Sequence, residues 1–369
     1  EGDYHCSVEE IKSMLRDQAD TSQDALLLEN LLISDLNQES IQRYRILFNN
    51  LKPDHIWAKL GNEEFLLKIG AAKKSQTDGK IHPTLGGLVF FGDFMTITDE
   101  LPNYFLDYRE HLTNDSRWSD RVNSGDGTWS GNIFDFYYKV IDRLTADVKK
   151  PFRLDSNLLR IDDTSIHKSL RECLANALIH ADFHGRRGIV VDKEFRKIVI
   201  ANPGTFRIGI DEAIAGGISD ARNGRIFNMF ALINVGERSG TGICDVYHIW
   251  AENGFKEPSY VETVDPDRIV LTLQMDPYDN GDDGNDGNND GNDGNNDGND
   301  GSLTQNEIYV LQVISKMPAL SASKIAAATG ISKPSVERAL HSLKEKKYIR
   351  REGSTRGRWI ILKERYRRV

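Results

Sequence analysis

The sequence predicts an α+β fold in which a larger mixed body is joined through a flexible stretch to a small, mainly helical module. Three observations predict it. Up to residue 275, apolar residues recur at helical spacing in some stretches and alternate at strand spacing in others. Residues 278–301 consist almost wholly of Asp, Asn and Gly, a composition that cannot bury a core. Residues 303–369 read as helix, helix, turn, helix and hairpin.

Taken in order, residues 4–18 form a short helix, with Ser7 as N-cap and Glu10 completing a capping box. Residues 40–48 are helical, and 56–60 and 64–69 continue the pattern around the turn Gly61-Asn62. Residues 73–80 are a polar loop. His82-Pro83-Thr84 leads into Leu85-Gly86-Gly87-Leu88-Val89-Phe90-Phe91-Gly92, a buried helix or strand with close glycine packing and no assigned chemistry. Residues 104–108 read as a strand, 111–131 as a polar loop or hairpin pinned by Trp118 and Trp129, and 133–148 as a helix. A hairpin over 152–154 and 158–161 precedes a cap at Asp163 or Thr164. Residues 188–192 and 197–201 form an antiparallel pair, 211–215, 226–234 and 242–253 are helices, and 259–263 and 268–274 alternate as strands.

Charge divides the chain. The 369 residues carry 47 Lys and Arg against 56 Asp and Glu, a net charge of −9. Residues 276–302 hold nine acidic and no basic residues, whereas 303–369 hold fifteen Lys and Arg against five Glu, a net of +10. The basic tail points to a polyanion partner for that module alone. No apolar run reaches the ~18 residues of a membrane span. Cys6, Cys173 and Cys244 have neither disulfide nor metal-ligand spacing, which suits a cytoplasmic protein. The opening Glu1-Gly2-Asp3 carries no apolar leader and reads as the start of a fragment. Asp286-Gly287-Asn288-Asn289-Asp290-Gly291 begins like a calcium loop, but the twelfth position is Asp297 rather than Glu, so the stretch reads as a solvated linker.

The stretch richest in chemistry is Ser169 to Asp182. It sets Glu172, Asn176 and His180 four residues apart, along one face of a helix. The plain reading is a solvated helix face. Downstream come Asn202-Pro203-Gly204, Ser219-Asp220-Ala221-Arg222-Asn223, and Glu237-Arg238-Ser239-Gly240-Thr241-Gly242-Ile243. In that order, over about residues 160–275, these blocks resemble the ATP-binding fold of gyrase, histidine kinases, MutL and the heat-shock chaperone, the GHKL family. They are most similar to its divergent branch in RecG-related and Schlafen-AlbA-like bacterial transcriptional regulators. The Thr84 to Gly92 run resembles an element of the same proteins. Ser7-Val8-Glu9-Glu10-Ile11 looks like the exit of their AlbA-like DNA-binding domain.

The resemblance implies a GHKL-like α/β sandwich at 151–275, preceded by a smaller α+β region at 21–150 and by the domain exit at 1–20. It implies ATP and Mg²⁺ as ligands. Glu172 would be the base that orients water, and Asn176 the Mg²⁺ ligand. His180 would contact phosphate or close the helix end. Gly240 and Gly242 would open backbone N–H groups toward phosphates at a helix start. Asn202 and Gly204 would lie at the adenine end, and Arg222 and Asn223 in a lid region. Asn202 stands where the usual adenine-reading residue is Asp, and His180-Ala181-Asp182-Phe183 lacks the family's Arg. The Asn202 replacement weakens hydrolysis more than binding. No G-x-x-x-x-G-K-[ST] is present, so P-loop helicase chemistry is not supported.

The module at 303–369, beyond a linker at 276–302, resembles a winged helix-turn-helix domain over its whole length. Such a domain reads double-stranded DNA with short polar and basic side chains at the start of its recognition helix. Lys333, Ser335 and Arg338 fit that place, and Arg356 and Arg358 fit a wing touching phosphate. Use of the module for protein contacts or dimerisation is the alternative. The expectation is a DNA-binding transcriptional regulator with a nucleotide-sensing domain, compatible with a homodimer. Its rivals are an ATPase driving a dimer clamp and a degenerate scaffold that binds no nucleotide.

Overall fold

The computed structural model describes residues 6, 8–17, 22–111, 118–146, 148, 164–194, 196–217, 220–236, 242–264, 266–275, 305–329, 333–353 and 357–362. Internal contacts divide the chain into a larger unit ending at Met275 and a smaller one containing Asp276–Val369. The expected hairpin at 152–161 and the linker at 276–302 lie outside the described residues.

The larger unit opens with helix α1 (Val8–Asp17), followed by α2 (Gln38–Leu51) and α3 (Asn62–Ile69). Asn37 caps α2 by accepting the Ser40 N–H, and Gly70 ends α3 in the left-handed conformation at φ +86°. Strands β1 (Ala72–Lys74) and β2 (Ile81–Pro83) pair across the loop expected there. Helix α4 (Leu85–Phe91) resolves the glycine-rich run as a helix, capped by the Thr84 hydroxyl. A Cβ on Gly87 would overlap the Ala71 backbone, so this glycine serves close packing. Helix α5 (Phe94–Glu100) was not expected from the sequence.

Strand β3 (Leu106–His111) pairs antiparallel with β4 (Asp120–Asn123), so the stretch read as a loop or hairpin contributes its second strand to a pairing with the strand before it. The strand starts later than the sequence pattern implied. Tyr104 instead turns inward, and its hydroxyl donates to the Gly131 carbonyl at 2.8 Å. Then come α6 (Ile133–Thr145), α7 (Ser165–His180), β5 (Ile189–Glu194), β6 (Lys197–Pro203), α8 (Ile210–Ala215), α9 (Gly224–Leu232), α10 (Gly242–Glu252), β7 (Ser259–Thr263) and β8 (Arg268–Gln274). The strands order as β4-β3-β5-β6-β8-β7, with β5/β6, β6/β8 and β8/β7 antiparallel.

One apolar core runs through this unit, with Tyr44, Phe48, Phe65, Phe90, Phe134 and Phe230 among its largest members. It draws on residues from both sides of position 150, as does the six-stranded sheet. Helix α7 lies on β6, flanked by α6 and α10. That placement sets one face of α7 into the core and the other toward the space bounded by β6, β8 and α10.

The smaller unit is α+β as well. Helices α11 (Gln305–Lys316), α12 (Ala322–Thr329) and α13 (Lys333–Glu345) precede the antiparallel strands β9 (Ile349–Glu352) and β10 (Arg358–Ile361). Its separate core includes Leu311, Ile314, Ile325, Leu340, Leu343 and Trp359. Buried Glu307 joins α11 to α13, accepting from Ser342 Oγ at 2.5 Å and from Lys346 Nζ at 2.8 Å. This is a winged-helix arrangement.

Candidate functional site

Helix α7 is two-faced. Leu170, Cys173, Leu174, Ala177 and Leu178 are buried, while Glu172, Asn176 and His180 recur along another side. The helix begins at the Thr164 cap and ends at His180. Its last carbonyls are closed by the segment leading into α9. Asn223 Nδ2 donates to the carbonyls of Ile179 (2.8 Å) and Ala181 (2.7 Å), and Arg222 Nε donates to that of His180 (3.2 Å). Orphan carbonyls at a helix end need such partners when buried.

Glu172, Asn176 and His180 face one cleft, joined there by Asn202, Arg222 and Gly242. The cleft opens to solvent. Ile200, Ile269, Leu271 and Tyr260 supply its sheet wall, with Phe206 beside Tyr260 at 5.7 Å between ring centroids. At the rim Arg207 Nε lies 3.1 Å from Asp220.

Several polar groups line the cleft. Asn202 is 5% exposed. Its Nδ2 donates to the Pro203 carbonyl at 3.3 Å, while its Oδ1 accepts no hydrogen bond among the described residues. The Asn176 carboxamide and the His180 ring likewise make none among those residues. Asn176 and His180 are half-buried, and with Asn202 they present polar groups to one apolar-walled cleft, the setting in which ligand sites are commonly built. Burial, with Arg222 nearby, pushes the His180 pKa down to about 4, so the ring is neutral at pH 7. Burial raises the Cys173 thiol, with Glu172 adding to the rise, so Cys173 stays protonated.

The remaining expected residues fall differently. Gly204, at φ +101°, packs against Arg222 and Asp182 beside the cleft rather than lining it. Asn223 is spent on the α7 carbonyls. Arg222 shares that capping role while also lining the cleft. Gly240 lies outside the described residues. Tyr260, Phe206, Arg207 and Asp220 were not singled out from the sequence. The strand alternation held a signal for Tyr260, which pairs with Leu271 on the inner face.

In the smaller unit, Lys333 and Arg338 are exposed and Ser335 is half-buried at the start of α13. Arg338 Nη2 donates to Ser335 Oγ at 3.3 Å, and Lys333 Nζ lies 3.9 Å from Glu337. Arg358 opens β10, 3.3 Å from Glu352, while Arg356 lies outside the described residues. Lys344 and Arg351 stand over the Trp359 ring, 5.1 and 5.2 Å from its centroid.

Among the described residues no helix is long and apolar enough to cross a membrane, and no group of three or more His, Cys, Asp or Glu could hold a metal ion.

Comparison with known proteins gives three family matches. Residues 12–107 match a domain of unknown function, DUF8451. Residues 194–273 match the family described as "Putative ATP-dependent DNA helicase recG C-terminal". Residues 302–358 match the MarR family. Helix α7, with Glu172, Asn176 and His180, falls between the first two matches. No curated protein matches the chain. Among solved structures, the DIP2311 protein from Corynebacterium diphtheriae is similar in fold, with a TM-score of 0.52 and 15% identity over 95% of this chain. The chain spans 66% of that protein's length.

Proposed function

From a chain that joins a RecG C-terminal-like, ATPase-type domain to a MarR-type winged helix, we propose a DNA-binding transcriptional regulator whose larger unit binds ATP. The observation that carries the nucleotide half is the convergence of the Asn176, His180 and Asn202 side chains on the cleft that Gly242 lines at the start of α10. The residues fit the ligand. Asn202 Oδ1 offers an acceptor to an exocyclic amino group, Tyr260 and the sheet residues offer an apolar wall, and α10 offers its N-terminal N–H groups to phosphate. Mg²⁺ needs only one or two protein oxygens beside phosphate and water, and Asn176 can supply one. Bound there, it would neutralise phosphate charge. His180, neutral, would serve as a hydrogen-bonding group rather than as a cation.

The DNA half rests on Lys333, Ser335 and Arg338 at the exposed start of α13 and on the net positive charge of the module. The GHKL likeness and the cytoplasmic setting belong to the same reading, and a homodimer is compatible with it. The test is binding of a fluorescent ATP analogue with Mg²⁺ to the intact chain and to Asn176→Ala. Saturable binding lost on substitution supports the site, and absence of binding in both would reduce the larger unit to a scaffold.

A second reading, slow ATP turnover, is favoured by the carboxylate of Glu172 in the cleft, within one turn of Asn176. Steady phosphate release that Glu172→Gln abolishes would establish it.

A further inference from the structure

Strands β1 and β2 form a hairpin, and the ring of His82 on β2 joins its loop to a separate segment of chain. The residue is 2% exposed. Both ring nitrogens face oxygen acceptors. Nδ1 lies 2.7 Å from the Leu31 carbonyl, and Nε2 lies 3.2 and 3.1 Å from the two carboxylate oxygens of Asp78. A carbonyl and a carboxylate only accept, so each contact needs a proton on the ring nitrogen that faces it. Neutral imidazole carries one N–H and satisfies one of the two. Imidazolium carries both.

The acceptors are fixed by the fold. Asp78 Oδ1 accepts the Lys80 N–H at 2.9 Å, and the Lys80 carbonyl accepts the Ser75 N–H at 2.8 Å. The Ser75 hydroxyl accepts the Thr77 N–H at 2.9 Å and donates to Glu29, two residues before Leu31. The surrounding charges favour the protonated ring. Asp78 of the loop and Glu29 of the neighbouring segment both act on it. Lys80 stands beside Asp78, and Lys73, opposite His82 in β1, is exposed. Asp35 is turned to the Leu32 N–H, and helix α4, packed on β2, brings no charged side chain. The Leu31 hydrogen bond, with Asp78 and Glu29, raises the His82 pKa above 6.5, although burial opposes the rise.

We propose that His82 is a protonation-dependent clasp: charged, its ring closes the hairpin loop onto the segment that carries Leu31, and neutral, it lets go of one of the two. The clasp stands apart from the nucleotide cleft and from the reading given to it. The sign follows from linkage. A group whose folded pKa is raised contributes fully below its unfolded value and loses that contribution as pH rises through the folded value. The hairpin carries Lys73, Lys74 and Lys80 as exposed side chains, and its loop is held in place only while His82 is charged.

The experiment follows the His82 ring by NMR titration of the intact chain, with the signal assigned by its loss in His82→Gln. Hydrogen exchange over residues 75–80 is measured alongside, each rate taken relative to its intrinsic value at that pH. The expected result is a His82 midpoint above 6.5 and loop protection that falls about three- to tenfold from about pH 6 to about pH 8.5, the loss of one ordinary hydrogen bond. Protection in α4 should stay constant, and in His82→Gln the loop should be weakly protected at every pH. Asp78→Asn keeps an acceptor for the Lys80 N–H and removes the charge facing the ring, so its His82 should titrate lower than in the wild type. A wild-type midpoint at or below 6.5 overturns the clasp, as does loop protection that ignores pH or falls equally in His82→Gln. Where His82→Gln does not fold, Asp78→Asn decides, and an unchanged midpoint overturns the proposal.

Discussion

The carboxylate of Asp24 caps helix α9, accepting the backbone N–H of Ile226 at 2.9 Å across two hundred residues of chain. The same oxygen accepts the Arg225 N–H at 2.7 Å, and Ser22 Oγ donates to the other oxygen at 2.6 Å. Asp24 is 2% exposed, and burial raises its pKa despite these donors. A carboxyl group whose folded pKa is raised favours folding when protonated and loses that advantage as pH rises through the folded value. The charge is therefore a cost at neutral pH, while the hydrogen bonds are a gain. Asp24→Ala removes the acceptor and should destabilise the larger unit by about 1–2 kcal/mol. Asp24→Asn keeps an acceptor and removes the charge, so its loss should be well below that of Ala. Urea unfolding of the three proteins at pH 7 checks the order.

His180 makes a pH prediction of the opposite sense. Its folded pKa of about 4 lies below the ordinary value of 6.5 because the ring is buried and Arg222 stands nearby. Arg207 adds to the lowering, and Asp220 opposes it. Between those two pH values the unfolded chain takes up a proton that the folded chain does not. Stability is therefore full above about pH 6.5 and falls as the pH drops toward 4. His180→Gln, which cannot titrate, should lose less stability than the wild type between pH 7 and pH 5. Equal losses in the two proteins would show that the ring titrates normally.

These two residues also mark where sequence reading succeeds and where it stops. Helix α7 and strand β8 were legible because period and burial agree: Leu170, Leu174 and Leu178 recur at helical spacing, and Ile269, Leu271 and Leu273 alternate. The line of Glu172, Asn176 and His180 follows from the same period. Asp24 was not legible, because its partners on α9 are remote in sequence and an isolated Asp before a short turn carries no mark of them. Asn223 was read only through a motif, and its hydrogen bonds to the carbonyls that end α7 have no mark in the local pattern. Tyr104 has strand propensity, yet its hydroxyl is taken by Gly131, and β3 starts only at Leu106. In each case a tertiary hydrogen bond decides a matter that local pattern leaves open.

In the smaller unit the buried carboxylate of Glu307 holds Ser342 and Lys346 of the α13 region to α11. Lys346 keeps a route to water, its side chain being 36% exposed, so removal of Glu307 does not strand a buried charge. The expected cost of Glu307→Ala is therefore that of lost buried hydrogen bonds, about 1–3 kcal/mol, rather than that of an orphaned ion. Glu307→Gln retains an acceptor for Ser342 and should recover part of it. Thermal unfolding of the intact chain, followed by Trp359 fluorescence, reads the effect.

The acidic stretch bears on DNA binding through charge alone. Residues 276–302 carry nine Asp and no cation, and the module after them has a net charge of +10. A polyanion tethered to a basic module competes with DNA for the same cations, and binding to DNA is itself driven by neutralising phosphates. The competition reaches about 30 Å at 0.01 M salt and about 10 Å at 0.1 M, so it should be strong only at low salt. Replacing residues 280–301 with a neutral Gly/Ser stretch of equal length should tighten binding to duplex DNA at low salt and converge with the wild type as salt rises. Arg338→Ala serves as the contrast. It should weaken binding and, if the guanidinium meets phosphate, flatten the salt dependence by about one ion. Fluorescence anisotropy across a salt series separates the two. Equal low-salt affinity for the wild-type and neutral-linker chains would show that the acidic stretch is a spacer and exerts no electrostatic brake.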